Sequence, residues 1–104
     1  MQSRRFPRYS IDRPVKAIAY WDDQPIRKLH GRALVMGEGG LCASLSDQLY
    51  LGEVVRLEMP PVPALYAMVR NTRGSEHGLE FLYSRDGQRR AVNELCAAMA
   101  EEQK

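Results

Sequence analysis

The stretch Arg13–Trp21, RPVKAIAYW, indicates the fold class because every second residue from Val15 onward is apolar. These alternate positions form one face of the segment, made up of Val15, Ala17, Ala19 and Trp21. A period of two residues is typical of a strand that buries one side. The next four residues, Asp22-Asp23-Gln24-Pro25, are of the types that favour turns. The segment therefore predicts a strand that ends at Trp21.

Further strands are predicted on the C-terminal side of this one. They cover Lys28–Met36, Leu41–Leu45, Gly52–Met59, Ala64–Asn71 and His77–Tyr83. Between two of them stands Gly37-Glu38-Gly39-Gly40, where three glycines in four residues indicate positive φ or a close approach of backbones. Another connection is Pro60-Pro61-Val62-Pro63, which we expect to lie outside the sheet because proline has no N–H to donate.

The period changes in the last segment of the chain. Apolar residues recur there at helical spacing, at Val92, Leu95, Cys96 and Met99. Either Ser84 or Asp86 could cap the start of this helix. About six antiparallel strands followed by one helix predict a mainly β fold, a small antiparallel β-barrel with a C-terminal α-helix. We expect a single domain over 1–104, with a basic N-terminal arm at 1–12, the barrel at 13–83 and the helix at 84–102.

Length and composition limit the function classes. The chain has 104 residues, 44% of them hydrophobic, a composition typical of one globular domain. No apolar run approaches the ~18 residues needed to span a bilayer, and none follows the basic N-terminus as in a secretory signal. Two cysteines are too few for a disulfide framework. These features predict a cytoplasmic protein without a membrane segment.

Catalysis and metal binding find little support among the residues. The candidate nucleophiles include Cys42 and Cys96, and the neutral-pH bases are His30 and His77. No nucleophile motif surrounds either cysteine, and we expect both thiols to pack in the core. The histidines, far apart in sequence, are expected at the surface or in turns. No cluster of Cys, His and carboxylates has metal-ligand spacing, so the sequence predicts neither an enzyme nor a metal site.

The positive charge of the chain is concentrated at its N-terminus. The net charge of +2 is too small for a general nucleic-acid binder, yet Arg4, Arg5 and Arg8 stand together in RRFPR. Pro7 stiffens this arm and holds the residue before it extended. A solvated basic tail is one interpretation. The other is an anion clamp, because guanidiniums bind phosphate in a bidentate way and also recognise the O6/N7 edge of guanine. A guanine nucleotide offers both features.

In its motifs and in their order along the chain, the sequence resembles the PilZ domain family. The members of this family are small β-barrels with a C-terminal helix that act as bacterial receptors for cyclic di-GMP. The RxxxR motif of the family matches Arg4-Arg5-Phe6-Pro7-Arg8, and its [DN]xSxxG motif aligns with Val35–Gly40. Gly52–Leu57 and His77–Phe81 resemble its later strands. The resemblance implies that the chain binds cyclic di-GMP and relays its level to an unidentified protein partner. The implied ligand-binding residues are Arg4, Arg5, Arg8, Val35, Gly37, Gly39 and Gly40.

The chain departs from the family at two polar positions. Val35 and Gly37 stand where the family has Asp or Asn and Ser, whose side chains hydrogen-bond the nucleotide. Two lost hydrogen bonds at ~0.5–1.5 kcal/mol each would weaken binding by roughly one to two orders of magnitude. The alternative function is thus a PilZ-like protein-interaction module that binds no cyclic di-GMP. A third hypothesis, binding of single-stranded nucleic acid through the arm with Tyr20 and Trp21, is disfavoured because Trp21 alternates onto the apolar face.

Overall fold

The fold is a six-stranded closed antiparallel β-barrel with one C-terminal helix, in a computed structural model that describes residues 7–102. The family of folds predicted from the alternation pattern is confirmed. The elements are β1 Arg8–Trp21, β2 Gln24–Gly37, β3 Gly40–Leu45, β4 Val54–Met59, β5 Val62–Arg73, β6 Glu76–Leu82 and α1 Asp86–Glu102. The strands close in the order β1-β2-β3-β6-β5-β4.

The antiparallel pairing gives the barrel two distinct ends. One end holds the start of β1, the turn between β2 and β3, and the turn between β4 and β5. The helix follows β6 at this same end, where Gln88 of α1 donates through Nε2 to the carbonyl of Ala64 at 3.1 Å. We call this the helix end. The other end carries the β1–β2 hairpin tip and the loop 46–53.

The barrel interior combines large and small side chains. Along one inward-facing row, Leu29, Ala17 and Leu57 stand opposite one another on three neighbouring strands. In total, five alanines are 0% or 1% exposed inside the barrel: Ala17, Ala19, Ala33, Ala43 and Ala67. A barrel of few strands has a narrow interior, and alternating small and large residues fill it without strain. The alanines therefore let a barrel of this size close.

Several element bounds differ from the sequence-based expectation. β1 begins at Arg8, so part of the predicted arm is already strand. Only Asp22-Asp23 form the first turn, both with positive φ (52° and 64°), as a two-residue hairpin turn requires. The proline linker is also shorter than predicted, because β5 begins at Val62, which pairs with Met59. Only Pro60-Pro61, joined by a cis peptide bond, lie outside the ladder; Pro63 is accommodated near the start of the strand.

The expectation that Trp21 shares the buried face of β1 is wrong. Val15, Ala17 and Ala19 are buried as predicted, whereas Trp21 is 75% exposed. The ladder between β1 and β2 shifts register between Ala19 and Tyr20. The extra residue of this irregularity, Ile26, lies in β2, so it does not interrupt the alternation along β1. β1 pairs with β4 only as far as Ala19, and both residues beyond that pair, Tyr20 and Trp21, are exposed at the end of the barrel.

The helix packs as its period indicates. Val92, Leu95, Cys96 and Met99 are all buried. At its start, the side chain of Gln88 binds the residues that precede the helix, and the hydroxyl of Ser84 donates to Gln88 Oε1 at 3.3 Å, so Ser84 takes part as a donor and not as the predicted capping acceptor. Gln88 Oε1 accepts from the backbone N–H of Ser84 at 2.8 Å and of Arg85 at 3.2 Å. Because this partly buried amide also bonds to β5, it ties the helix start to the barrel wall.

His77 corrects the prediction that both histidines lie at the surface or in turns. His30 is exposed, but His77 is 0% exposed. Its Nε2 accepts from the backbone N–H of Leu49 at 3.1 Å, and its Nδ1 lies 2.8 Å from the carbonyl of Ser75, to which it donates. The imidazole thereby supplies an acceptor to the N–H of Leu49 and a second donor to the carbonyl of Ser75, which also accepts from the N–H of Leu45 at 3.0 Å. It holds the loop 46–53, whose Leu49 is buried, against the barrel.

Replacing His77 by phenylalanine is expected to lower the free energy of unfolding by about 1–3 kcal/mol, because the buried N–H of Leu49 loses its partner and the carbonyl of Ser75 loses one of its two donors. Urea unfolding followed by circular dichroism measures the change. The same replacement at the exposed His30 is the control, for which we expect a change within about 0.5 kcal/mol. Equal losses in the two variants would contradict the role assigned to His77.

Candidate functional site

The register of the barrel brings two sequence motifs into contact. Arg8, the last arginine of the arm motif, stands directly opposite Gly37, the first glycine of the turn motif, in the β1–β2 ladder. A Cβ on Gly37 would lie 3.6 Å from Cγ of Arg8, so the arginine side chain passes close over the glycine. Arg8 itself is exposed. Its guanidinium is therefore available to an anion at the edge of the glycine turn.

Two glycines of the turn allow backbones to approach closely. A Cβ on Gly37 would stand 2.7 Å from the carbonyl oxygen of Pro7, and one on Gly40 would stand 2.2 Å from that of Leu79. Real Cβ atoms do not come this near to a backbone oxygen. Among the described glycines, only Gly52 and Gly74 have positive φ. Of the two explanations that the sequence allowed, close approach is therefore the one that applies to Gly37 and Gly40.

Around the Arg8–Gly37 pair, the outer face of the sheet carries mostly small side chains. The ladder places Ser10 opposite Val35, Val35 opposite Cys42, and Cys42 opposite Gly78. Directly opposite residues share a face of the sheet, as do residues two apart in one strand, so Gly37 and Gly40 belong to this surface too. We call it the shelf and define it by Arg8, Ser10, Val35, Gly37, Gly40, Cys42 and Gly78. Its small side chains leave room for a flat ligand on the barrel wall.

The thiol at the centre of the shelf is kept in its neutral form. Cys42 is half-buried, and its Sγ lies 3.9 Å from Oε1 of Glu76. Burial, and after it the negative charge of Glu76, raises the pKa of the Cys42 thiol, while the charge of Arg8 acts in the opposite direction. A thiol with a raised pKa is a poor nucleophile. Cys42 is thus a small, weakly polar surface group of the shelf, not the core residue that the sequence predicted. Cys96 is buried as predicted.

The glycine turn, residues 37–40, is held in place by Tyr83, which follows β6, and by Arg89 of α1. The hydroxyl of Tyr83 donates to the backbone carbonyl of Glu38, and the guanidinium of Arg89 lies 3.2 Å from the Glu38 carboxylate. Arg89 also stacks 4.4 Å above the Tyr83 ring. On the other side, the carbonyl of Gly39 accepts from the N–H of Phe81 at 2.9 Å. Burial is the main cause that raises the pKa of Tyr83, so its hydroxyl stays a donor at neutral pH.

The structure brings together most, but not all, of the predicted site residues. Arg8, Val35, Gly37 and Gly40 form one surface, and Gly39 contributes its carbonyl to the turn's anchorage. Arg4 and Arg5 lie outside the described residues. Sequence reasoning missed Ser10, Cys42 and Gly78 on the shelf. Their place depends on strand register, for which the sequence offered no signal beyond alternation.

Over residues 7–102, no group of three or more His, Cys, Asp or Glu side chains could hold a metal ion. Within the same range, no helix has both the length and the apolar character needed to cross a bilayer.

Solved structures with a similar fold include two from bacteria. The inhibitor of motility MotI/DgrA of Bacillus subtilis matches with a TM-score of 0.72 and 18% identity, over 100% of this chain and 54% of that one. This chain thus spans about half of MotI. The PilZ domain of YcgR from Escherichia coli, solved with c-di-GMP, matches with a TM-score of 0.71 and 16% identity, over 98% and 95% of the two chains. At these identities the similarity concerns the fold alone.

The sequence itself provides the family assignment. Among curated proteins, none matches it significantly. The family model for the PilZ domain, however, matches residues 2–98, nearly the whole chain. This match includes the arm motif, the glycine turn and all six strands, and it agrees with the barrel and helix described above. The chain therefore belongs to the PilZ domain family.

Proposed function

We propose that this chain is a bacterial, cytoplasmic receptor for cyclic di-GMP, which binds the nucleotide without catalysis and relays its level to a protein partner. The observation that carries the proposal is the pairing of Arg8 with Gly37, which joins the arm motif to the glycine turn on one surface. Membership of the PilZ family and the fold shared with a c-di-GMP-bound PilZ domain support it.

In this proposal the shelf receives the nucleotide. Arg8 binds a phosphate or the O6/N7 edge of a guanine, for both of which the planar guanidinium is suited. Arg4 would add a second such contact and Arg5 positive potential, as the family motif implies. Gly37 and Gly40 have no side chains that would project from the barrel wall beneath the ligand. The turn at Glu38-Gly39, anchored by Tyr83 and Phe81, gives the ligand a rigid support.

The second candidate is an interaction module of the same fold that binds no cyclic di-GMP. It is favoured by Val35, which offers no polar atom to a ligand, and by Gly37, where the carbonyl of Pro7 occupies the space that a serine side chain would need. Both candidate functions use the same barrel, and they differ in whether the shelf binds the nucleotide. A ligand titration separates them.

Titration calorimetry of the chain with cyclic di-GMP is the direct test. Saturable binding, with no heat from GTP at the same concentration, would support the receptor. Absence of heat up to high micromolar ligand, from protein shown to be folded by circular dichroism, would contradict the receptor and favour the interaction module.

Restoring one family side chain sharpens this test. Val35→Asn is expected to tighten cyclic di-GMP binding about 3- to 10-fold, because position 35 is half-buried on the shelf and an amide there adds one hydrogen bond. The matched control is Val54→Asn, at an exposed valine on the other end of the barrel, for which no change in affinity is expected. Equal affinities in Val35→Asn and the parent chain would contradict the placement of the ligand over Val35.

A further inference from the structure

An exposed apolar surface lies at the end of the barrel opposite the helix. One residue beyond the last pair of the β1–β4 ladder, Ala19 opposite Val55, come Tyr20 and Val54. We define the hairpin–loop surface by the six large apolar residues of this end that are 37–75% exposed: Tyr20, Trp21, Ile26, Tyr50, Leu51 and Val54. Single exposed apolar residues are normal, but a cluster of them marks an interaction site.

One arginine joins the two halves of this surface. Arg27 of β2, next to Ile26, lies against the backbone carbonyl of Gln48 and within 3.8 Å of the Glu53 carboxylate. Glu53 in turn accepts from the N–H of Tyr50 at 3.0 Å through its Oε1. The loop is therefore held beside the hairpin tip, and His77 holds it from inside the barrel. An ordered apolar surface loses little conformational entropy on binding.

The rim of the surface is acidic, although the chain as a whole is basic. Carboxylates outnumber cations four to two over residues 20–28 and 46–54: Asp22, Asp23, Asp47 and Glu53 against Arg27 and Lys28. Arg27 is engaged by Asp47 and Glu53. Asp22 and Asp23, at the hairpin tip next to Trp21, take part in none of the ion pairs found among residues 7–102.

This charge pattern discriminates among possible partners. Anionic lipid headgroups and nucleic acids would meet the carboxylates with like charge. A second copy whose two-fold axis passes through the hairpin tip would set Asp22 and Asp23 against charges of their own sign. A protein segment with apolar side chains flanked by lysine or arginine satisfies both features, because its apolar face covers the aromatic residues and its cations meet the free rim.

We propose that the hairpin–loop surface is the docking site for a basic, amphipathic protein segment of the partner. The inference deepens the relay part of the proposed function, since it names the surface and the chemistry of the partner. The docking site can nevertheless be tested without nucleotide. Arg8 and Trp21 lie at opposite ends of β1, so a nucleotide on the shelf leaves the hairpin–loop surface open.

The test uses Trp21, the single tryptophan of the chain, as its reporter. We would titrate the full chain, without nucleotide, with an amphipathic helical peptide of leucine and lysine, and with a peptide of the same pattern in which glutamate replaces lysine. The expected result is a saturable blue shift of Trp21 emission with the lysine peptide only. Equal binding of both peptides, or of neither, would overturn the proposal.

Two variants locate the contact. The double variant Asp22→Asn/Asp23→Asn keeps residues that accept positive φ at the turn. It is expected to lower the affinity for the lysine peptide about fivefold. Leu51→Ser removes an exposed apolar side chain and is expected to weaken it about tenfold. Glu94→Gln/Glu102→Gln, two exposed carboxylates on α1, is the charge control and should bind like the parent. Parent-like affinity in both test variants would overturn the assignment.

Two further measurements distinguish the protein segment from the two competing partners, a membrane and a second copy of the chain. A Trp21 blue shift with phosphatidylglycerol vesicles would assign the surface to a membrane and overturn the proposal. Self-association in analytical ultracentrifugation that Leu51→Ser abolishes would assign it to a second copy, with the same consequence. A monomer without vesicle binding supports the protein segment. Because cyclic di-GMP binding is measured separately by calorimetry, the proposed nucleotide site on the shelf and the proposed docking site can be contradicted independently.

Discussion

Replacing Arg8 by alanine is expected to weaken cyclic di-GMP binding about 10- to 100-fold while the barrel stays folded. A hydrogen bond to a charged partner contributes ~1.5–3 kcal/mol, and a guanidinium presents two such bonds to one phosphate or one guanine edge. Arg8 is exposed and faces a glycine, so its loss creates no cavity. Titration calorimetry measures the affinity, and thermal unfolding checks that the melting temperature is unchanged.

Two variants separate the geometry of Arg8 from its charge. Arg8→Lys keeps the charge but loses the planar fork, and an intermediate affinity is expected. Arg13→Ala removes the same charge farther along β1, opposite Ala33, and should bind within about twofold of the parent. If Arg8→Ala and Arg13→Ala weaken binding equally, the arm acts only through its net charge, and the proposed clamp at Gly37 is contradicted.

Replacing Gly40 by alanine is expected to lower the free energy of unfolding by about 3 kcal/mol, at the upper part of the range for overpacking. The added Cβ would stand 2.2 Å from the carbonyl oxygen of Leu79 on the paired strand β6. That oxygen belongs to backbone, which cannot turn aside as a flexible side chain can. The seam between β3 and β6 must then open, next to the shelf. Urea unfolding of the variant and the parent gives the difference.

Gly87 supplies the matched control for this prediction. It lies in α1, and a Cβ built on it meets nothing within 4 Å. Gly87→Ala is therefore expected to leave stability unchanged or to raise it by up to about 1 kcal/mol, since alanine favours the helix. A Gly40→Ala variant as stable as Gly87→Ala would show that the β3–β6 seam relaxes easily, in contradiction to its role as the rigid wall of the shelf.

The arrangement separates the two proposed activities along one hairpin. β1 has 14 residues and, at about 3.3 Å per residue, is about as long as the molecule's longest extent of 42 Å. Arg8 and Gly37 pair at its helix end, and Trp21 and Gln24 pair at the other. One ladder thus carries both the shelf and part of the hairpin–loop surface. A receptor built this way can hold its ligand and its partner at the same time.

Local pattern was sufficient for the elements of this fold. Alternation from Val15 to Ala19 and helical spacing from Val92 to Met99 are both found in the structure, because the direction in which successive side chains point is set by the local backbone conformation. The glycines at 37 and 40 indicated either positive φ or a close approach of backbones, and the structure has the close approach. The order of motifs indicated the family, which the family model confirms.

Three-dimensional contacts decided the remainder. Trp21 is exposed because it lies beyond Ala19, where the pairing of β1 with β4 ends. His77 is buried under a loop whose Leu49, 28 residues away in sequence, donates its N–H to the imidazole. The sequence determined which motifs the chain contains: an arginine arm, a glycine turn, strands and one helix. Only the tertiary structure decided that Arg8 faces Gly37, that Val35 and Cys42 share its surface, and that the apolar residues of hairpin and loop meet at the far end. Such pairings depend on strand register across the barrel, which no local period encodes.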